Sequence, residues 1–142
     1  WVGVVQFVKG RIETGERKAL ERFADLVTVK RMGEGFTWET QNRAQDVALA
    51  REAWNKALEM LRDPSYSMVI LDEINIVLRY DFLPLEDVLE ALANKLPDQH
   101  IVLTGRNAPD TLIEAADLVT EMTMVKHPFR EQGIKAQIGV EF

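Results

Sequence analysis

The sequence predicts an α/β domain built on a mostly parallel sheet with helices on both faces. Short runs of consecutive apolar and often β-branched residues, Val2-Gly3-Val4-Val5, Met68-Val69-Ile70-Leu71 and Ile101-Val102-Leu103, read as strands buried on both sides. The segments between them carry helical periodicity instead of tight hairpin turns, the alternation that produces parallel sheets. The whole is 142 residues long, which suits one domain over residues 1–142.

In chain order, Trp1-Val2-Gly3-Val4-Val5-Gln6-Phe7-Val8 is read as a buried strand entered near its beginning. Lys9-Gly10-Arg11 opens a polar loop, and Thr14 to Lys18 leads into a short helix whose apolar side is Ala19, Leu20 and Phe23. Leu26 to Met32 follows as a strand. From Gln41 to Arg62 a long helix is predicted from Ala44, Val47, Ala48, Trp54, Ala57, Leu58 and Leu61, with Glu52 and Lys56 at a supportive i,i+4 offset. Asp63-Pro64-Ser65 ends it, because proline cannot continue the hydrogen-bond ladder. Met68 to Leu71 is the next strand, Pro84 to Lys95 a helix with Leu85, Val88, Leu89 and Leu92 inward, and Ile101 to Thr104 another strand. Asp110 to Ala116 is a short helix, and the alternation of Leu118 to Val125 predicts one more strand. Parallel sheets bind ligands beyond the carboxyl ends of their strands, so the loops after Val8, Leu71 and Thr104 are the candidate site.

Composition narrows the chemistry. Without cysteine there is no disulfide, thiolate nucleophile or iron-sulfur ligation, and His100 and His127 lack the spacing of a zinc site. A net charge of -6 argues against general nucleic-acid binding. No apolar run is long enough to span a bilayer, and a cytoplasmic location is expected.

Three constellations carry chemistry. Asp72-Glu73 leaves a buried strand at the ligand-binding edge, a Walker B-like pattern suited to a magnesium-nucleotide, with an acidic turn cap as the alternative. Phe36 and Trp38 stand in a glycine-bearing loop, where they either present flat apolar area to a planar ligand or fold back onto the following helix. Arg106 follows a strand, where a guanidinium meets a phosphate or ribose hydroxyl, or else a surface partner. Lys9, Arg11, Lys126, Arg130 and Lys135 are basic but are not gathered by spacing. His127 has no triad partner at a recognisable offset and is read as a packed or surface residue.

Taken in order, Val5-Gln6-Phe7-Val8-Lys9-Gly10, Thr14-Gly15-Glu16-Arg17, Gly35-Phe36-Thr37-Trp38-Glu39-Thr40-Gln41, Leu71-Asp72-Glu73 and Thr104-Gly105-Arg106 resemble the motifs of the bacterial ATP:corrinoid adenosyltransferases, which have a RecA-like P-loop fold. Val125-Lys126-His127-Pro128-Phe129 and the run from Gly133 to Phe142 are similar to the family's carboxyl terminus. The resemblance implies transfer of a 5′-deoxyadenosyl group from ATP to Co(I) of a corrinoid, with release of triphosphate. It implies Mg2+ organised through the nucleotide by Asp72 and Glu73, and Phe36 and Trp38 packed on the lower corrin face, easing reduction of Co(II). Arg106, Lys135 and Gln137 would lie on the nucleotide or corrinoid side. An electron donor such as reduced flavin or a flavoprotein, and a homodimer, are implied as well.

One departure is large. The family's Walker A loop, whose backbone amides cradle phosphates, has no counterpart in these residues. The expectation is therefore a domain lacking its first strand, the P-loop and its helix, so that the sheet lacks a central strand and the chain by itself binds ATP poorly or not at all. A RecA-like ATPase and a non-catalytic corrinoid-binding domain are the competing readings.

Overall fold

Valine-rich runs with no polar interruption cannot expose either face cheaply, and in the computed structural model they pair into one sheet. The structure describes residues 1–8, 15–31, 43–135 and 137. The strands are β1 (Val2–Gln6), β2 (Val27–Arg31), β3 (Met68–Asp72) and β4 (His100–Leu103), and the helices are α1 (Gly15–Leu20), α2 (Arg43–Arg62), α3 (Ile74–Arg79), α4 (Leu85–Ala93), α5 (Asp110–Ala115) and α6 (Pro128–Gln132). The order is β2-β1-β3-β4 and every pairing is parallel. This is the predicted α/β class.

The four strands pair without interruption. On the far side of β4 no further strand pairs among the described residues. The chain passes from β1 to β2 on one side and then returns to place β3 on the other, which puts a topological switch point between β1 and β3. Crevices at such points are where open α/β sheets take ligands.

The core lies on one face of the sheet. Val5 and Phe7, then Val69 and Leu71, with Ile101 and Leu103 behind them, meet Ala50, Ala53, Trp54, Ala57, Met60 and Leu61 of α2 and Ile74, Val77, Leu78 and Val88 of α3 and α4. Gly3 lies on the same face, where an added Cβ would stand 2.7 Å from Met60 Sδ, so its bare backbone lets α2 settle onto β1. Gln99, 3 % exposed, donates from Nε2 to the Met60 and Tyr66 carbonyls and ties the approach to β4 to the end of α2.

Several sequence expectations change here. The inward stripe of α2 is Asp46, Ala50, Ala53, Trp54, Ala57, Met60 and Leu61, whereas Ala44 and Ala48 are exposed. The stripe opens on an aspartate, so counting apolar residues alone rotates the first two turns. Lys56 bonds Glu59, at 3.1 Å, one turn on, in place of the expected pair with Glu52. Phe23 is exposed rather than inward. Pro84 stands just before α4, as its N-cap, with extended backbone. Short α3 escapes periodicity analysis because Ile74-Asn75-Ile76-Val77-Leu78 is apolar nearly all round.

The predicted strand from Leu118 to Val125 does not form: the segment has no regular structure, and Leu118, Met122 and Val125 are 84%, 93% and 94% exposed. Alternation supplies a face, but a strand also needs a neighbouring ladder for its backbone groups, and no described strand lies beside this one.

Candidate functional site

Parallel pairing in register brings one polar side chain from each strand to the carboxyl edge of the sheet. Gln6 is the register partner of Arg31 on one side and of Asp72 on the other, and Thr104 follows β4 where Leu103 pairs with Leu71. All four lie on the face opposite α2, because they alternate with the core positions. They form a hydrogen-bonded row. Arg31 Nε donates to Gln6 Oε1 at 3.1 Å, Gln6 Nε2 donates to Asp72 Oδ2 at 3.3 Å, and Thr104 Oγ1 donates to Asp72 Oδ1 at 3.0 Å. Gln6 is 5 % exposed, so its amide is held inside the sheet edge and passes the guanidinium's polarisation toward the carboxylate.

The Thr104 hydroxyl has a defined direction. It accepts the Glu73 amide at 2.9 Å, which leaves its single proton for Asp72. Glu73 itself has φ 63, an unusual left-handed conformation for a side chain of its size, and it turns the chain from β3 directly into α3. Such strain persists only where surrounding contacts fix it. The fixing contacts come from Thr104 and Asn75: the Asn75 amide donates to the Thr104 carbonyl at 3.2 Å, and its side-chain Nδ2 donates to the Gly105 carbonyl at 3.2 Å. Asn75 Oδ1 is buried and finds no partner among the described residues, a cost of about 1–3 kcal/mol.

Gly105 sits at φ 122, and a Cβ there would stand 3.0 Å from Asn75 Cβ and 3.3 Å from the Asn75 amide nitrogen. Neither atom is the end of a flexible chain. Gly105→Ala is expected to destabilise the protein by about 1–3 kcal/mol, from strained backbone plus this collision. Urea unfolding checks it, and an unchanged midpoint contradicts the assignment.

Of the residues expected from sequence, Asp72 and Glu73 are brought together with Thr104, whereas Arg106 is exposed and makes no side-chain hydrogen bond or ion pair among the described residues. Lys135 and Gln137 are exposed in the terminal segment, and Lys135 has no polar partner among the described residues. Lys126 and Arg130 are exposed too. Phe36, Trp38, Lys9 and Arg11 lie outside the described residues. His127 accepts the Phe129 amide at Nδ1, 3.2 Å, while Glu131 accepts the His127 amide at 2.8 Å: it is the N-cap of α6, a surface role as expected. Sequence reasoning did not single out Gln6, Arg31 or Asn75. The available signal was a polar residue closing or following an otherwise apolar strand.

The donor set bears on whether Asp72 suits a divalent cation. A carboxylate offers about four acceptor positions, and Gln6 and Thr104 take one on each oxygen, which fixes its orientation. Among the described residues no group of three or more His, Cys, Asp or Glu forms a protein cage. Mg2+ is ordinarily held by about one or two carboxylates together with phosphate oxygens and water, and the oriented Asp72 carboxylate at the sheet edge suits that pattern. No described helix is long and apolar enough to cross a membrane.

A four-strand, all-parallel α/β sheet that reverses order beside an acidic strand end is consistent with a truncated RecA-like P-loop fold. Within that class the assignment is specific. The family model of ATP:corrinoid adenosyltransferase BtuR/CobO/CobP matches residues 1–142, and the chain belongs to this family. It is 59% identical over 141 residues to a corrinoid adenosyltransferase of Sinorhizobium sp, covering 98% of this chain and 65% of the relative. It is 52% identical over 141 residues to one from Pseudomonas aeruginosa, covering 99% of this chain and 69% of the relative. A third, from Escherichia coli strain K12, is 47% identical over 141 residues, with 99% and 70% covered. The chain spans about two thirds of the length of these curated relatives.

Proposed function

We propose that this chain is part of an enzyme that transfers the 5′-deoxyadenosyl group of ATP to the cobalt of a corrinoid. The Arg31–Gln6–Asp72–Thr104 row at the switch point, in a chain of this family, is the observation that carries the reading. In the reaction, the Co(I) electron pair attacks C5′ of the ribose, the C5′–oxygen bond breaks, and triphosphate leaves with that bond's electrons. The nucleophile comes with the substrate, which agrees with a chain that has no cysteine.

Asp72 is assigned the metal side of the nucleotide, with Glu73 beside it. Mg2+, when bound, supplies charge neutralisation at the departing triphosphate. The row's task is to present the Asp72 carboxylate in one orientation, so that no reorganisation is needed as charge develops. Arg106, Lys135 and Gln137 are assigned to the nucleotide or corrinoid side. Phe36 and Trp38 are assigned to the lower corrin face, where an apolar wall excludes an axial ligand and makes Co(II) easier to reduce. Reduced flavin or a flavoprotein as electron donor, a homodimer and a cytoplasmic location complete the proposal.

The test is direct. The chain, alone and completed with the flanking residues of the Sinorhizobium relative, is incubated with ATP, Mg2+ and chemically reduced corrinoid. Adenosylcorrinoid and triphosphate are expected from the completed form. Orthophosphate released without corrinoid would indicate an ATPase, and corrinoid binding without a cobalt–carbon bond would indicate a binding domain. In the completed form, Trp38→Ala is expected to lower turnover starting from Co(II) about tenfold more than turnover starting from Co(I). Equal losses would remove Trp38 from the reduction step.

A further inference from the structure

We infer that Asn75 is a positioning residue that clamps the Thr104–Gly105 peptide against the start of α3 and so keeps the Thr104 hydroxyl aimed at Asp72. Two successive carbonyls, Thr104 O and Gly105 O, are each held by one donor of the same residue, the backbone amide and Nδ2 of Asn75. Thr104 in turn accepts the Glu73 amide and donates to Asp72, so the clamp, the left-handed turn at Glu73 and the carboxylate form one connected unit. Gly105 eases the close approach, since a Cβ there would stand 3.0 Å from Asn75 Cβ, tighter than an ordinary contact.

The choice of asparagine is otherwise unexplained. Asn75 is 5 % exposed among apolar neighbours on a short helix, and half of its amide, Oδ1, is buried without a partner. A side chain selected for packing would be apolar, because an apolar group of similar size leaves no unpaired buried atom. What an apolar side chain cannot supply is the Nδ2 donor to Gly105. Among the described residues the Asn75 hydrogen bonds go to Thr104 and Gly105 and not to Asp72, so its effect is transmitted through Thr104.

The inference rests on the proposed role of Asp72 for its catalytic consequence, but the clamp is measurable by itself. Asn75→Leu and Asn75→Ala are compared with the parent chain by amide hydrogen exchange and thermal unfolding. The same substitutions in the completed form are compared by steady-state kinetics. Asn75→Leu is expected to hold or raise the unfolding midpoint, because the unpaired buried oxygen is gone. In both variants the Glu73 amide is expected to exchange about tenfold faster while the Val5 and Leu71 amides stay as protected as before. In kinetics, kcat is expected to fall about tenfold with KM for ATP changed less than about threefold. A merely structural role would move stability, exchange and kcat together in the same direction. Unchanged Glu73 protection in Asn75→Leu, or faster exchange spread evenly through the sheet, overturns the inference. If the completed parent shows no adenosyl transfer, the proposed function fails, and the exchange pattern alone decides the clamp.

Discussion

Asp72→Asn is expected to lower adenosyl transfer about 10²- to 10³-fold while the protein remains folded, the magnitude seen when one preorganised electrostatic group is removed. The substitution isolates charge from shape. The new amide oxygen can accept from Gln6 Nε2, and the new amide nitrogen can donate to the Thr104 hydroxyl oxygen, which keeps a second acceptor position beside the Glu73 amide. The row therefore survives in altered polarity, and the unfolding midpoint should stay within about 2 °C of the parent. What is lost is the negative charge that would face Mg2+ and the triphosphate. The measurement is adenosylcorrinoid formation from ATP and pre-reduced Co(I) corrinoid in the completed form, which bypasses any effect on reduction. Parent-like kcat/KM would remove Asp72 from the metal side of the site.

Trp54→Ala is expected to cost about 3–5 kcal/mol, the range for truncating a fully buried aromatic side chain. Trp54 is 1% exposed and belongs to the cluster that joins α2 to β1, β3 and α3. Ala50, Ala53 and Ala57, near it along α2, are small and buried as well, so the ring supplies much of the volume on this stretch of the helix. For a domain whose total stability is about 5–15 kcal/mol, such a loss is about a fifth or more, and urea denaturation should show it as a lower midpoint with an unchanged slope. Trp54→Phe, which retains most of the ring volume, should recover more than half. A cost below about 1 kcal/mol would mean that the α2 face is packed less tightly than its burial indicates.

The fold was legible where one residue type dominates a segment. β1, β3 and β4 are runs of valine, isoleucine and leucine that admit no exposed face, and α2 is long enough for its periodicity to show despite a rotated start. Asp72 and Glu73 were legible for a related reason, since acids ending an apolar strand stand out against it. Phe36 and Trp38 rest on the resemblance of their loop to the adenosyltransferase motif and lie outside the described residues.

Other features depended on distance in the chain. Leu118 to Val125 has the alternation of a strand and lacks a neighbour, and a pattern in one segment carries no information about what pairs with it. Arg31, Gln6, Asp72 and Thr104 are separated by 25, 66 and 32 residues along the row, and each is unremarkable in its own segment. Sequence alone determined that parallel strands end in a loop edge bearing two carboxylates, because burial dictates composition locally. Only the tertiary structure decided which polar groups meet Asp72 and that Asn75 holds Thr104 in place, because register across the sheet and the left-handed turn at Glu73 are set by pairing between distant segments.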